Sequence, residues 1–71
     1  MLNINQVKKF LNDLGLHYEW NYPAKGASTV IVEGIIKYAP FSHWVTDLRS
    51  GETFHSDDHF RKLCMELAHN N

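Results

Sequence analysis

The 71-residue sequence contains one cysteine, two prolines and four glycines, and no long apolar run. A single cysteine excludes an internal disulfide, and a small domain without disulfides is typical of a reducing compartment, so we expect a cytoplasmic protein. No segment approaches the roughly 18 consecutive apolar residues of a membrane-spanning helix, and the first ten residues lack the apolar core of a signal peptide. We therefore expect no association with a membrane.

The sequence also lacks an excess of charge of either sign. Seven Lys and Arg residues against eight Asp and Glu residues give a formal net charge of -1. This balance argues against a protein that coats DNA through a general positive field. The chain is 44% hydrophobic and 21% charged, which is typical of a folded domain. Since two separate units would each be too short to hold a core, we expect one domain spanning residues 1–71.

An amphipathic helix is predicted near the N-terminus from apolar residues spaced three and four apart. These residues are Ile4, Val7, Phe10, Leu11 and Leu14. Asn3 is suited to cap the helix, and Gln6 is placed to complete a capping box with it. Gly15 is expected to end the helix, because glycine adopts the left-handed conformation without steric cost.

The middle of the chain has the alternation and turn residues of a series of strands. Strands are predicted over residues 16–22, 28–33, 35–38, 43–48 and 52–55. A turn is expected at 23–26, a hairpin turn at Glu33-Gly34, and a further hairpin turn at Arg49-Ser50-Gly51. This last hairpin should bring Trp44, Thr46 or Leu48 near Phe54.

A second helix closes the chain. Ser56 is suited to cap it, and Asp57 and Asp58 in its first turn have the charge that the helix dipole favours. Its apolar stripe comprises Phe60, Leu63, Cys64, Leu67 and Ala68. We predict an α+β fold: an antiparallel sheet of three to five short strands with the N-terminal and C-terminal helices packed on one face, in the order α-β-β-β(-β)-α.

Aromatic residues are the most informative feature for function, because a core of this size does not readily hold all of them. Aromatic side chains are enriched at the centres of protein interfaces. The leading hypothesis is a non-enzymatic interaction module that binds a protein partner through Trp20, Tyr22, Tyr38 and Trp44. The alternative is that the strand carrying Trp20 simply faces the helices. A homodimer formed through a sheet edge is a further expectation.

Nucleic-acid binding is the second hypothesis. Aromatic side chains can stack on unpaired bases, and basic side chains can contact phosphates. The residues available for this role are Lys8, Lys9, Lys25, Lys37, Arg61 and Lys62. Because the net charge is slightly negative, we rank nucleic acid below protein as the partner.

A metal-dependent enzyme is the third hypothesis, and it depends on His55 and His59. Their spacing of four would place both imidazoles on one face of a helix, as zinc sites require. Against this, Ser56 is the better helix cap, which leaves His55 on a strand. The candidates for a third ligand are His17, His43 and His69, and the sequence does not locate one of them at the site. Cys64 lies on the inward stripe, which favours a structural role over catalysis. We therefore expect no metal, no other cofactor and no catalytic residue.

The segment from Gly34 to Trp44 resembles small, uncharacterised bacteriophage and prophage proteins. The residues that carry this resemblance are Gly34, Ile36, Tyr38, Pro40, Ser42 and Trp44. In those proteins an aromatic residue and proline precede a tryptophan, between an apolar strand and a closing helix. This chain has one residue fewer between Pro40 and Trp44 and lacks their glycine. The resemblance implies a phage-encoded accessory or inhibitor protein.

The element order also resembles a family of toxin ribonucleases that share the fold of double-stranded RNA-binding domains. Members of that family carry the catalytic histidine on the second strand. This chain has no histidine between Lys25 and Val30. The resemblance therefore implies the fold and not the activity.

Overall fold

The computed structural model of the chain describes residues 3–22 and 28–70. Two helices and five strands are present in this part of the chain: α1 Ile4–Leu14, β1 Tyr18–Asn21, β2 Thr29–Val32, β3 Ile36–Ala39, β4 Trp44–Asp47, β5 Thr53–His55 and α2 Asp57–Asn70. The predicted α+β fold is confirmed, with five strands between the helices. The turn predicted at 23–26 lies outside the described residues.

The five strands form one antiparallel sheet in the order β1-β2-β3-β4-β5. Each strand therefore pairs with its neighbour in sequence, and β1 and β5 are the edges. Val45 is the partner of Phe54, and Trp44 is the partner of His55. The expectation that Trp44, Thr46 or Leu48 lies near Phe54 is therefore corrected. Trp44 and Thr46 flank Val45 and point to the opposite face from Phe54, and Leu48 follows β4, which ends at Asp47.

The predicted helix ends of α1 are confirmed in detail. The side chain of Asn3 accepts a hydrogen bond from the Gln6 amide at 2.8 Å, and the Gln6 side chain accepts one from the Asn3 amide at 3.0 Å. Gly15 follows the helix with φ at 73°. These contacts satisfy backbone groups that a helix end leaves without partners.

Both helices pack on one face of the sheet. The core residues are Val7, Leu11, Leu16, Val30, Val32, Ile36, Tyr38, Val45, Phe60 and Cys64. Phe60 of α2 links the layers, since its ring stacks on Tyr38 at a centroid distance of 3.9 Å and lies 6.2 Å from Phe10 of α1. We call the sheet face that meets the helices the covered face.

The opposite side of the sheet, here called the open face, is defined by strand alternation and register. It comprises Glu19, Asn21, Thr29, Ile31, Lys37, Ala39, Trp44, Thr46, Thr53 and His55. No described element packs over it. Among residues 3–22 and 28–70, neither helix has the length and apolar character needed to cross a membrane.

Candidate functional site

Trp44 is the largest side chain on the open face, and 49% of its surface is exposed. It lies at the start of β4, where its ring centroid is 4.6 Å from that of His55 on β5. The strand fixes the direction in which the indole projects, and the neighbouring imidazole supports one side of it. Trp44 therefore presents a large and partly apolar surface to solvent from a rigid element.

His43 lies in the turn before β4, beside the N-terminus of α2. It has a φ of 63°, in the left-handed region that residues other than glycine seldom occupy. Its Nδ1 lies 3.0 Å from each carboxylate oxygen of Asp57, the first residue of α2. The contact joins the β3–β4 turn to the helix.

Asp57 also accepts a hydrogen bond from the core of the protein. The hydroxyl of the fully buried Tyr38 donates to its Oδ1 at 2.5 Å. We refer to these three residues as the Tyr38–Asp57–His43 network. It links β3, the β3–β4 turn and α2 at one end of the sheet.

The network fixes the protonation states of its two acids. Burial raises the pKa of Tyr38 far above its ordinary value, and the hydrogen bond to Asp57 raises it further. Burial would also raise the pKa of Asp57, but the hydrogen bonds from Tyr38 and His43 outweigh it and hold that pKa below its usual range. At neutral pH, Tyr38 is therefore a hydrogen-bond donor and Asp57 an ionised acceptor.

His55 extends this arrangement toward Trp44. Its Nε2 lies 2.8 Å from the carbonyl oxygen of Ser42, and its ring is 5.9 Å from that of His43 with the planes at 78°. Two imidazoles and an indole thus adjoin at one end of the open face. Each imidazole is held by a hydrogen bond from one of its nitrogens.

The four predicted aromatic anchors do not form one surface. Trp20 is half-buried on the covered face, and Tyr22, which is 56% exposed, stacks on it at 6.0 Å. Tyr38 is fully buried beneath Phe60, so its assignment as an interface residue is corrected. Only Trp44 of the four projects from the open face. The alternative interpretation, in which the Trp20 side chain packs toward the helices, agrees with the position of Trp20 beside the core.

The predicted basic residues are also dispersed in the described part of the chain. Lys8 and Lys9 lie on α1, Arg61 and Lys62 lie on α2, and Lys37 lies on the opposite side of the sheet. Lys9 pairs with Asp13 and Arg61 pairs with Asp58. Lys25 lies outside the described residues. The five described residues do not share a basic face.

His55 and His59 do not converge on a common site. His55 ends β5 on the open face, whereas the His59 ring stacks on Phe54 of the covered face at 3.7 Å. Ser56 separates them as the predicted cap, with its hydroxyl accepting from the His59 amide at 3.3 Å. The proposed geometry for this pair is therefore corrected, because only His59 belongs to the helix.

Cys64 is fully buried, and burial raises the pKa of its thiol to about 12. A thiol with this pKa remains protonated at neutral pH and is a poor nucleophile.

A depression of about 790 Å³ runs along α2, where Leu14 and Met65 are among the lining residues. None of Trp44, His43 and His55 lines it.

Sequence reasoning missed the Tyr38–Asp57–His43 network. The sequence placed Asp57 at a helix start between His55 and His59, and it placed His43 at the beginning of a strand and among the candidates for a third metal ligand, but it did not pair the two residues with each other. The position of Pro40 next to a break in the strand pattern was the available signal, because a turn there brings His43 toward the start of the next helix. The side-chain hydrogen bonds themselves leave no periodic pattern.

Comparison with known proteins found no match to a family model, to a curated protein or to a solved structure. The resemblance to phage proteins therefore stays a prediction.

Proposed function

We propose that the chain is a protein-binding module whose contact surface is the open face, with Trp44 as its anchor. The observation that carries this proposal is the half-exposed indole of Trp44 on a sheet face that no described element covers. Interface anchors are most often large aromatic side chains surrounded by residues that exclude water from the contact. Thr46, Ala39 and His55 occupy that surrounding position around Trp44.

The charges on the open face support a protein as the partner. Among its ten residues, only Glu19 and Lys37 carry formal charges, and these have opposite signs. The centres of protein interfaces are depleted of charged residues, whereas nucleic-acid surfaces require several basic groups facing the phosphates. The fitting partner is an uncharged protein surface with a pocket for an indole.

Such a module would act by occupying its partner's surface, without catalysis. This mode suits the accessory or inhibitor role that the resemblance to phage proteins implies. A cytoplasmic location is part of the same proposal, and the single, buried Cys64 supports it. Self-association through the edge strand β1 or β5 is a separate expectation that analytical ultracentrifugation would test.

Site-specific photocrosslinking tests the proposed surface directly. A photoreactive phenylalanine analogue is placed either at Thr46, on the open face, or at Lys62, which is exposed on α2. In extract from the organism that encodes the chain, we expect one dominant protein adduct from position 46 and none from position 62. Adducts of equal yield from both positions, or adducts that contain mainly nucleic acid, would contradict the proposal.

The partner identified in this way is then purified and titrated with variants. Trp44→Ala should weaken binding at least about tenfold, the effect typical of losing an aromatic anchor. Tyr22→Ala is the matched control, because Tyr22 is similarly exposed but stacks on Trp20 away from the open face. Equal losses from both variants would mean that Trp44 is not the anchor.

A further inference from the structure

We propose that His43 and His55 form a binding site for a divalent transition-metal ion of the zinc or copper class. His43 Nε2 and His55 Nδ1 are the proposed protein ligands. This site is distinct from the His55 and His59 pair suggested by sequence spacing. It also does not depend on the identity of any protein partner.

The hydrogen bonds of the two histidines leave the required nitrogens available. Asp57 is an acceptor, so the His43 Nδ1 that contacts it carries a proton. The Ser42 carbonyl is likewise an acceptor, so His55 Nε2 carries a proton. In the neutral form of each ring, the lone pair is therefore on His43 Nε2 and on His55 Nδ1, outside these hydrogen bonds.

This pattern of support is typical of histidines that bind metals. Such histidines usually donate their other ring N–H to a carboxylate or a backbone carbonyl, which fixes the tautomer and orients the ring. His43 has the carboxylate of Asp57, and His55 has the carbonyl of Ser42. The buried hydroxyl of Tyr38 in turn holds Asp57 in place at 2.5 Å. His43 is therefore oriented by Asp57, and Asp57 is itself oriented by Tyr38.

The separation of the two rings suits one shared ion. A zinc ion about 2.0 to 2.1 Å from a ring nitrogen lies about 3.2 Å from that ring's centroid. Two imidazoles on one ion at the tetrahedral angle then have centroids about 5.2 Å apart. The rings of His43 and His55 are 5.9 Å apart, so a movement of less than about 1 Å would bring the two rings to that separation. The side chain of His43 is 36% exposed and His55 is exposed, so an ion can reach the pair from solvent.

The proposed site is open. Among residues 3–22 and 28–70, no group of three or more His, Cys, Asp or Glu side chains is placed to hold an ion. Water or a group from another molecule would therefore complete the coordination of an ion held by two imidazoles. Binding should accordingly be weaker than in a closed four-ligand structural site.

Trp44 provides a local reporter, because its ring lies 4.6 Å from His55. Cu²⁺ quenches indole fluorescence at short range. The experiment uses protein without a histidine tag and two variants, Trp20→Phe, which keeps Trp44, and Trp44→Phe, which keeps Trp20. Trp20 lies on β1, about 14 Å away across three strand spacings and on the other face. We expect saturable quenching in Trp20→Phe and at least fivefold less in Trp44→Phe.

Histidine substitutions then identify the ligands in the Trp20→Phe background. His43→Asn and His55→Gln should each weaken the apparent Cu²⁺ affinity at least tenfold. Asparagine is chosen at position 43 because it tolerates positive φ. His17→Gln and His69→Gln, at exposed positions away from the pair, are the matched controls and should leave the affinity within twofold of the parent.

Zn²⁺ titration followed by NMR of the histidine ring resonances tests the wild-type chain without relying on a variant. Selective shifts at His43 and His55 that follow one saturable binding curve would support the site. The inference is overturned if neither histidine responds, if His55 and His59 shift together without His43, or if the control substitutions weaken Cu²⁺ binding as much as His43→Asn and His55→Gln.

Discussion

Val45 and Trp44 are consecutive residues of β4, yet Val45 is fully buried under the helices whereas Trp44 is 49% exposed. The same alternation divides every strand into a covered side and an open side. The covered face is a packed core of valine, isoleucine and aromatic side chains. The open face has three threonines, one glutamate, one lysine and one large indole among its ten residues. The difference indicates that folding free energy comes from one side of the sheet, which leaves the other side free for contact with a partner.

The end of the sheet near the start of α2 is where the two faces connect. Tyr38 belongs to the core, whereas His55 and Trp44 belong to the open face. His43 and Asp57 bridge them through hydrogen bonds. The orientation of groups at this end of the open face therefore depends on the core beneath it.

The largest expected effect is on the covered face. Phe60→Ala removes the ring that stacks on Tyr38 and should lower the free energy of unfolding by about 3 to 5 kcal/mol. A domain of this size has a stability of only a few kcal/mol, so much of the variant should be unfolded. Urea denaturation monitored by circular dichroism measures this. Met65→Ala, an exposed position on the same helix, should change stability by less than about 0.5 kcal/mol.

Removing the hydrogen bond from Tyr38 to Asp57 should have an intermediate effect on stability. Tyr38→Phe keeps the stacked ring but removes the donor to Asp57, which should lower the free energy of unfolding by about 1 to 3 kcal/mol. Tyr22→Phe, at an exposed hydroxyl, is the control. An equal and negligible change in both variants would show that the network does not stabilise the fold.

Alkaline pH should weaken the covered face through Cys64. Burial raises the pKa of the Cys64 thiol to about 12 from its ordinary value of 9.0, so its contribution to stability is complete below pH 9 and is lost as the pH rises toward 12. Between pH 9 and 10, this linkage should lower the free energy of unfolding by about 1 kcal/mol. Urea denaturation at each pH should show a steeper decline for the wild type than for Cys64→Ala. Parallel declines would contradict the linkage.

The smallest effect on stability is expected from Thr46, an open-face residue of β4. Thr46→Ala should change the free energy of unfolding by no more than about 0.5 kcal/mol, because Thr46 packs against no helix. Val45→Ala, one residue away, should cost about 2 kcal/mol. If thermal or urea unfolding gives a similar loss of the free energy of unfolding for both variants, the covered face does not supply most of the stability.

The fold was largely predictable from the sequence, because its elements follow local patterns. The capping box of Asn3 and Gln6, the stop at Gly15 and the cap at Ser56 are each specified by residues close together in the chain. Strand alternation likewise indicated which side chains share a face. Register across β4 and β5 was less certain, since a one-residue shift exchanges the faces and the hairpin turn alone did not fix it.

The candidate site was less predictable. The sequence identified Trp44 as an aromatic anchor but grouped it with Tyr38, because a count of aromatic residues does not distinguish a core ring from an exposed one. The pairing of His43 with Asp57 depends on a left-handed turn at a histidine, a conformation that no local pattern specified. His43 and His55 are twelve positions apart and become neighbours only when β4 and β5 pair.

The most direct test of the division between the two faces is a paired measurement on Trp44→Ala. Urea denaturation should give a much smaller loss of the free energy of unfolding than the about 3 to 5 kcal/mol expected for Phe60→Ala, because the Trp44 side chain lies outside the core. Titration with the crosslinked and purified partner should show at least about tenfold weaker binding. A large loss of stability with unchanged partner affinity in the folded fraction would contradict the account.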